Sequence, residues 1–75
     1  MSPRRAEQNE AMRAEARARI MEAALLLFSQ HGYDQTSVRM IAQQAGVSQG
    51  LMYNYFASKE ELLVEIFRAS MRDVR

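Results

Sequence analysis

The sequence predicts an all-α domain, and three observations support that prediction. Apolar residues recur three and four positions apart through most of the chain, which is the period of a helix with one buried face. No segment alternates apolar and polar residues with the period of two that a half-buried strand shows. Glycine and serine stand where helices would end and begin, and the single proline, Pro3, lies close to the start.

Length and composition limit what the chain can be. Its 75 residues make one small domain, and the single core of such a domain supplies no more than about 3–5 kcal/mol of net stability. With no cysteine, the chain has neither disulfides nor thiolate metal ligands, and a reducing cytosol fits best. The sequence has no signal-peptide pattern and no apolar run long enough to span a membrane. We therefore expect a soluble cytoplasmic protein that needs no cofactor.

Helix 1 is predicted at about residues 14–31. Its apolar stripe falls at the spacing i, i+3, i+4, i+7 and i+8, and consists of Ile20, Ala23, Ala24, Leu27 and Phe28. Gly32 can adopt the left-handed conformation that ends a helix, with Tyr33 packing back on Phe28. Residues 1–13 are predicted to form an arm that is either disordered or a helical extension. Its Arg4 and Arg5 either enter a minor groove or belong to a disordered tail.

Two short helices are predicted next, at about residues 38–45 and 49–56. Thr36 or Ser37 caps the start of helix 2, and Gly46 ends it. Ser48 is the natural N-cap of helix 3, in which the inward residues are Met52 and Phe56, four positions apart. Because the glycine lets the chain reverse within about three residues, helices 2 and 3 are predicted to form a helix-turn-helix.

Helix 4 is predicted at about residues 59–75 and opens with an S-x-x-E capping box from Ser58 to Glu61. The residues predicted to face inward are Leu63, Ile66, Phe67, Met71 and Val74. Leu62–Phe67 is apolar around most of the helix, as is Leu25–Phe28 in helix 1. We expect both helices to be covered on a second side by a further part of a longer protein.

An uncharged polar face is predicted on helix 3. The segment from Gln35 to Lys59 contains no acidic residue, although charge is frequent on both sides of it. With Met52 turned inward, Gly50 and Asn54 point outward, and Gln49 lies at the helix start. Amide side chains can pair with base edges, and glycine removes bulk where a backbone must come close. Capping and ordinary exposure explain each of these residues equally well when it is taken alone.

Hydroxyls and cations border this face. Lys59 lies in the first turn of helix 4, where it opposes the helix dipole unless an anion such as a phosphate is shared. The alternative is that Glu60 and Glu61 already compensate the helix dipole and Lys59 is a solvated side chain. Hydroxyls and a guanidinium at the start of helix 2 can hold a backbone phosphate, although Arg39 is equally explained as a solvated side chain.

Three more residues of helix 3 stay open to two interpretations. Tyr53 and Tyr55 either expose their hydroxyls to phosphate or serve as core aromatics. Leu51 lies on a flank of the helix, where it either touches a thymine methyl group or is a plain surface leucine.

These residues resemble the N-terminal DNA-binding domain of the TetR (tetracycline-repressor) family of bacterial transcription regulators. The correspondence runs from about Arg17 to Phe67, and "LFSQHGY", "AGVS" and "YNYF" fall at the family's spacing without a gap. The resemblance implies a homeodomain-like three-helix bundle, with helices 2 and 3 as the helix-turn-helix, plus the start of a fourth helix.

The resemblance also implies roles for individual residues. Those implied to contact phosphates are Thr36, Ser37, Arg39, Tyr53, Tyr55 and Lys59. Those implied to face bases are Gln49, Gly50, Leu51 and Asn54, and Ser48 completes the predicted DNA-binding set. It further implies a homodimeric repressor on a palindromic operator, released when a small-molecule effector occupies a C-terminal ligand-binding domain. That domain is expected to supply most of the dimer interface and is absent from these residues.

Other functions are less compatible with the sequence. An enzyme is disfavoured by a single histidine, no cysteine and no paired carboxylates away from helix surfaces. Membrane association is disfavoured because glutamates are mixed with the arginines of helix 1. A protein-interaction module is the main alternative, since helix 3 and the extra apolar surface of helix 4 could dock another protein.

Overall fold

Four helices make up the domain. The computed structural model describes the backbone of residues 3–73 and the side chains of residues 10–72. The helices are α1 (Pro3–His31), α2 (Val38–Ala45), α3 (Gln49–Tyr55) and α4 (Lys59–Asp73). No strand occurs between residues 3 and 73, so the prediction of an all-α helix-turn-helix bundle with a fourth helix is confirmed. A search of the described helices finds none with the length and hydropathy of a membrane span.

Helix α1 begins at Pro3, about eleven residues before the start near residue 14 that the apolar stripe predicted. The additional residues are mostly alanine, arginine and glutamate, which are good helix formers, and proline fits the first helical position because its missing N–H is not needed there. The arm is therefore a helical extension over residues 3–13. The side chains of Arg4 and Arg5, predicted either to reach a minor groove or to belong to a disordered tail, lie outside the described residues.

The turn between α1 and α2 is fixed by a glycine and an aromatic contact. Gly32 has a φ of 88°, a left-handed conformation that side chains other than glycine rarely adopt, and its N–H donates to the Phe28 carbonyl at 2.9 Å. The rings of Phe28 and Tyr33 pack with their centroids 5.2 Å apart. Both features match the predicted helix stop. Ser37 then caps α2 by accepting a hydrogen bond from the Met40 N–H at 3.1 Å.

A second glycine turns the chain between α2 and α3. Gly46 has a φ of 77° and Val47 donates its N–H to the Ala42 carbonyl at 3.0 Å, so α2 ends where predicted. Ser48 accepts a hydrogen bond from the Leu51 N–H at 3.0 Å and starts α3. The reversal takes only Gly46 to Ser48, which gives α2 and α3 the short connection of a helix-turn-helix.

The core lies where the four helices meet. Helix α1 packs against α2 and α4, and α2 packs against α3. The buried cluster consists of Ile20, Ala23, Ala24, Leu27, Ile41, Ala42, Ala45, Met52, Phe56 and Leu62. Ala42 is 2% exposed, and a small residue there lets α2 lie close to its neighbours. Helix α3 supplies only Met52 from within the helix, and Phe56 follows as its C-cap.

Helix α4 is rotated relative to the prediction. Leu62, which was not among the predicted inward residues, is fully buried, while Leu63 and Ile66 are only half-buried. The prediction was wrong for Phe67 and Met71, which are 61% and 73% exposed. Two polar contacts accompany this orientation, one on each side of Leu62 along α4. Lys59 donates to a carbonyl of the α1–α2 turn, and Glu65 accepts from Arg17 of α1. Val74 lies outside the described residues.

The start of α4 is capped by two side chains. Ser58 accepts a hydrogen bond from the Glu61 N–H at 3.1 Å, as the capping box predicted. The Glu61 carboxylate accepts from the Ala57 N–H at 3.1 Å, one residue earlier than the pattern implies. The capping serine and glutamate therefore order the chain that joins α3 to α4.

The adjacent residues Met52 and Leu51 test the core assignment. Met52 is 0% exposed and Leu51 is 39% exposed. We expect Met52→Ala to lower the free energy of unfolding by about 2–5 kcal/mol because it leaves a cavity, which would unfold much of a domain this small. Leu51→Ala, as the matched control, should change it by no more than about 0.5 kcal/mol. Urea denaturation followed by circular dichroism measures both. Equal losses would contradict the assignment.

Candidate nucleic-acid interface

The outward side of α3 is exposed and carries no charge. Met52 and Phe56 are buried, at 0% and 1% exposure, and they fix the rotation of the helix about its axis. Gln49, Gly50 and Asn54 are all exposed on the remaining face. We call these three residues, together with Leu51 and Tyr53 beside them, the α3 face. The structure thus leaves the amide side chains free to bind something outside the domain.

Nothing inside the domain requires glycine at position 50. Its φ is not in the left-handed region, and a Cβ added there would have only the Ser48 Oγ within 4.0 Å. Glycine in a helix costs about 0.5–1 kcal/mol relative to alanine, and α3 has only 7 residues over which to absorb that cost. Folding therefore gives no reason for the absence of a side chain at position 50.

Two N-cap serines stand at the starts of α2 and α3. The Oγ of Ser37 accepts the Met40 N–H at 3.1 Å and the Oγ of Ser48 accepts the Leu51 N–H at 3.0 Å. Both serines are exposed. Since a hydroxyl both accepts and donates, each serine keeps its O–H for an external acceptor such as a phosphate oxygen. Arg39, in the first turn of α2, is also exposed.

Thr36 does not share this exposure. It is 1% exposed, and its hydroxyl lies 2.8 Å from the Gly32 carbonyl and 3.1 Å from the Leu27 carbonyl, to which it donates. Its one O–H is therefore used inside the protein. The predicted phosphate contact of the Thr36 side chain stays a prediction, and this hydroxyl is not among the phosphate ligands proposed for the domain. Its role in the structure is to hold the end of α1 against the start of α2.

Lys59 is bound to the α1–α2 turn. Its Nζ donates to the Tyr33 carbonyl at 2.8 Å and to the Thr36 carbonyl at 3.0 Å, and it lies 4.2 Å from the centroid of the Tyr33 ring. An ammonium group has three N–H donors, so one remains for an external partner. Neither sequence-based alternative, a phosphate ligand or a solvated side chain, included these contacts. The pKa of the Tyr33 phenol is raised above its ordinary value. Desolvation is the larger cause, and the nearby carboxylates of Glu60 and Asp34 add to it.

The two tyrosines of α3 have different surroundings. Tyr53 is 49% exposed and Tyr55 is half-buried beside the core. The Arg13 guanidinium lies over the Tyr55 ring, 5.5 Å from its centroid. Sequence analysis placed Arg13 in the arm and assigned it no role, and no sequence signal pointed to this contact because it joins two helices more than forty positions apart.

The described arginines fall into two groups. Arg17 and Arg68 both pair with Glu65, at 3.1 Å and 3.3 Å, so their charges are offset between α1 and α4. Arg13, Arg19, Arg39 and Arg72 form no ion pair with any carboxylate of residues 10–72. Positive charge is therefore offset where Arg17 and Arg68 meet Glu65, while arginines without such a partner lie on α1, at the start of α2 and near the end of α4.

Comparison with known proteins identifies the family. The sequence model of the "Bacterial regulatory proteins, tetR family" matches residues 20–66, which include α2, α3 and the first half of α4. The chain belongs to the TetR family. The resemblance seen in the sequence is thereby confirmed, and the chain is a DNA-binding domain of a family of transcriptional regulators.

Several curated relatives match the TetR-family domain at similar levels. The fatty acid metabolism regulator protein of Bacillus subtilis is 42% identical over 52 residues, covering 69% of this chain and 27% of the relative. The transcriptional regulator AcrR of Shigella flexneri is 42% identical over 60 residues, covering 80% of this chain and 28% of the relative. The transcriptional repressor KstR2 of Mycobacterium tuberculosis is 42% identical over 52 residues, covering 69% and 26%. The match thus spans less than a third of the length of each of these regulators.

A lysine-to-methionine change tests the contacts of Lys59. Lys59→Met removes two hydrogen bonds from a charged donor to partly buried carbonyls, so we expect the free energy of unfolding to fall by about 1–3 kcal/mol. Arg39→Met removes the same charge from an exposed side chain without a described contact and should change it by less than about 0.5 kcal/mol. Thermal or urea unfolding distinguishes the variants. A Lys59→Met protein with an unchanged free energy of unfolding would show that the lysine is solvated.

Proposed function

We propose that this domain reads a specific DNA sequence by placing α3 in the major groove of double-stranded DNA. The observation that supports the proposal most directly is the α3 face. It is exposed and uncharged, and it contains a glycine that costs helix stability without any internal reason. The major groove is wide enough to admit a helix and presents a different pattern of donors and acceptors for each base pair.

The side chains of the α3 face suit base edges. Gln49 and Asn54 can each pair through two hydrogen bonds with adenine, which is the base that amide side chains favour in the major groove. Gly50 lets the helix approach the bases without a steric barrier. Leu51 is 39% exposed, and in the proposed complex its apolar end meets a thymine methyl group.

Phosphate contacts then hold α3 in register. Ser37 and Arg39 at the start of α2 are proposed to bind one backbone strand, together with the hydroxyl of Tyr53 and the free O–H of Ser48. Lys59 contributes through the one N–H that its two carbonyl partners leave unused. Because two of its donors are fixed inside the protein, its position relative to α2 is set before DNA arrives, which reduces the entropy lost on binding.

The full-length regulator is proposed to act as a homodimeric repressor in the bacterial cytoplasm, on a palindromic operator, and to be released by a small-molecule effector. Large apolar side chains are exposed on α1 and α4, and they favour the presence of an additional domain that covers them. These side chains are Leu25, Val64, Phe67 and Met71. Movement of α4 would change the separation of the paired α3 helices, which must match the spacing of two half-sites. Operator affinity that does not change when effector is added to the full-length protein would contradict this part.

Docking of another protein is the second candidate, because the same exposed apolar residues offer a surface for it. Salt dependence separates the two. We expect the affinity of the chain for a duplex selected from a random pool to fall steeply as salt rises, since bound counterions are released from the phosphates. Gln49→Ala should leave that slope unchanged and alter the preferred bases. Duplex binding that is insensitive to salt would favour the protein-docking alternative.

Gly50→Ala separates stability from binding. Alanine fits the open space around position 50 and favours the helix, so we expect the free energy of unfolding to rise by about 0.5–1 kcal/mol. We also expect affinity for the selected duplex to fall, because the new methyl group occupies the space that the bases need. Ser70→Ala, at an exposed position of α4, is the matched control and should raise stability while leaving affinity unchanged. A Gly50→Ala protein with undiminished affinity would contradict the placement of α3.

A further inference from the structure

We propose that Arg13 of α1 is a phosphate ligand on the flank of α3 that carries Leu51 and Tyr55, so that one of the two strands bordering the groove is held from α1. This inference rests on the proposed function. Its starting point is the position of the Arg13 guanidinium, 5.5 Å above the centroid of the Tyr55 ring.

The rotation of α3 determines which helix lies beside each flank. With Met52 inward, Leu51 and Tyr55 lie on one flank of the α3 face, and Tyr53 lies on the other, because successive residues turn by about 100°. A groove of about 530 Å³ runs along the first flank, between α3 and α1. Its lining includes Arg13, Arg19, Leu51 and Tyr55. A helix in the major groove has a phosphate backbone on each flank, and in the proposed complex this groove faces one of them.

The charges of the groove favour an anionic occupant. Two arginines and one glutamate, Glu15, line it. Neither Arg13 nor Arg19 pairs with a carboxylate among residues 10–72, in contrast to Arg17 and Arg68, which share Glu65. Arg13 has no hydrogen bond within the same residues, so its donors are available. The phosphate backbone of the bound duplex is the anion that this groove would meet.

The contact with Tyr55 positions the guanidinium for that role. A guanidinium stacked on an aromatic ring keeps its planar edge of N–H donors free, and that edge matches two phosphate oxygens. Stacking also restricts the long side chain before binding, which lowers the entropy lost when the phosphate is held. The pairing thus joins a cation of α1 to the helix that reads the bases.

Residues 10–13 of the α1 extension contribute no buried side chain to the core. Among the described side chains of α1, residues 10–15 are all exposed and Ala16 is the first that is buried. Helix α1 nevertheless continues back through Arg13 to Pro3. Over residues 10–15 this helix buries no side chain, yet it presents beside α3 an arginine that forms no ion pair with residues 10–72. A ligand explains this better than folding does.

Salt titration of charge variants tests the proposal. The probe is a duplex selected from a random pool by the unaltered chain, and the quantity measured is the slope of log affinity against log salt. We expect Arg13→Gln to make that slope shallower by about 0.9, the value for one lost phosphate contact, with unchanged base preference. Arg13→Lys should retain the full slope. The control Arg68→Gln removes the same charge from an exposed side chain of α4 and should also retain it.

The possible results separate this proposal from the proposed function. A steep slope for the unaltered chain together with equal slopes for Arg13→Gln and Arg68→Gln would overturn the Arg13 proposal alone. An Arg13→Gln protein that loses affinity at an unchanged slope would show that Arg13 only orients Tyr55, and would also overturn it. Duplex binding by the unaltered chain that does not depend on salt would overturn both.

Discussion

The burial of Met52 and Phe56 is the contact on which the rest of the domain's function depends. Helix α3 has only 7 residues, far fewer than the roughly 12–15 that an isolated helix needs for marginal stability in water. It therefore exists because these two side chains, four positions apart, are held at 0% and 1% exposure among α1, α2 and α4. The same burial sets the rotation of α3, so that Gly50 and Asn54 face outward.

Polar contacts join α1 and α4 to both ends of the helix-turn-helix. Lys59 joins the start of α4 to the turn that precedes α2, through the carbonyls of Tyr33 and Thr36. Arg17 of α1 lies 5.1 Å from the centroid of the Phe56 ring and pairs with Glu65 of α4 at 3.1 Å. A shift of α4 would therefore strain contacts at both ends of the helix-turn-helix. This is a physical route by which a domain beyond α4 would alter the DNA-binding surface.

Local signals predicted the fold well, and long-range contacts account for what they missed. The helix-ending glycines at 32 and 46 and the cap at Ser48 follow from residue types a few positions apart, and the structure has them as predicted. Of the two residues predicted to cap α2, Thr36 or Ser37, the structure has Ser37. The carbonyl contacts of Lys59 join residues far apart in sequence, and those of Thr36 cross the α1–α2 turn, so helical periodicity detects neither. The orientation of α4 was mistaken because a helix apolar on most sides does not reveal which side faces the core.

Mapping the duplex contact residue by residue tests the placement of α3 most directly. In a titration of the ¹⁵N-labelled chain with its selected duplex, amide chemical shifts report which part of the surface meets DNA. Placement of α3 in the major groove predicts the largest changes at residues 37–39 and 48–55, with small changes along the exposed apolar side of α4 around Val64 and Phe67. Changes concentrated on that side of α4, with α3 unaffected, would contradict it.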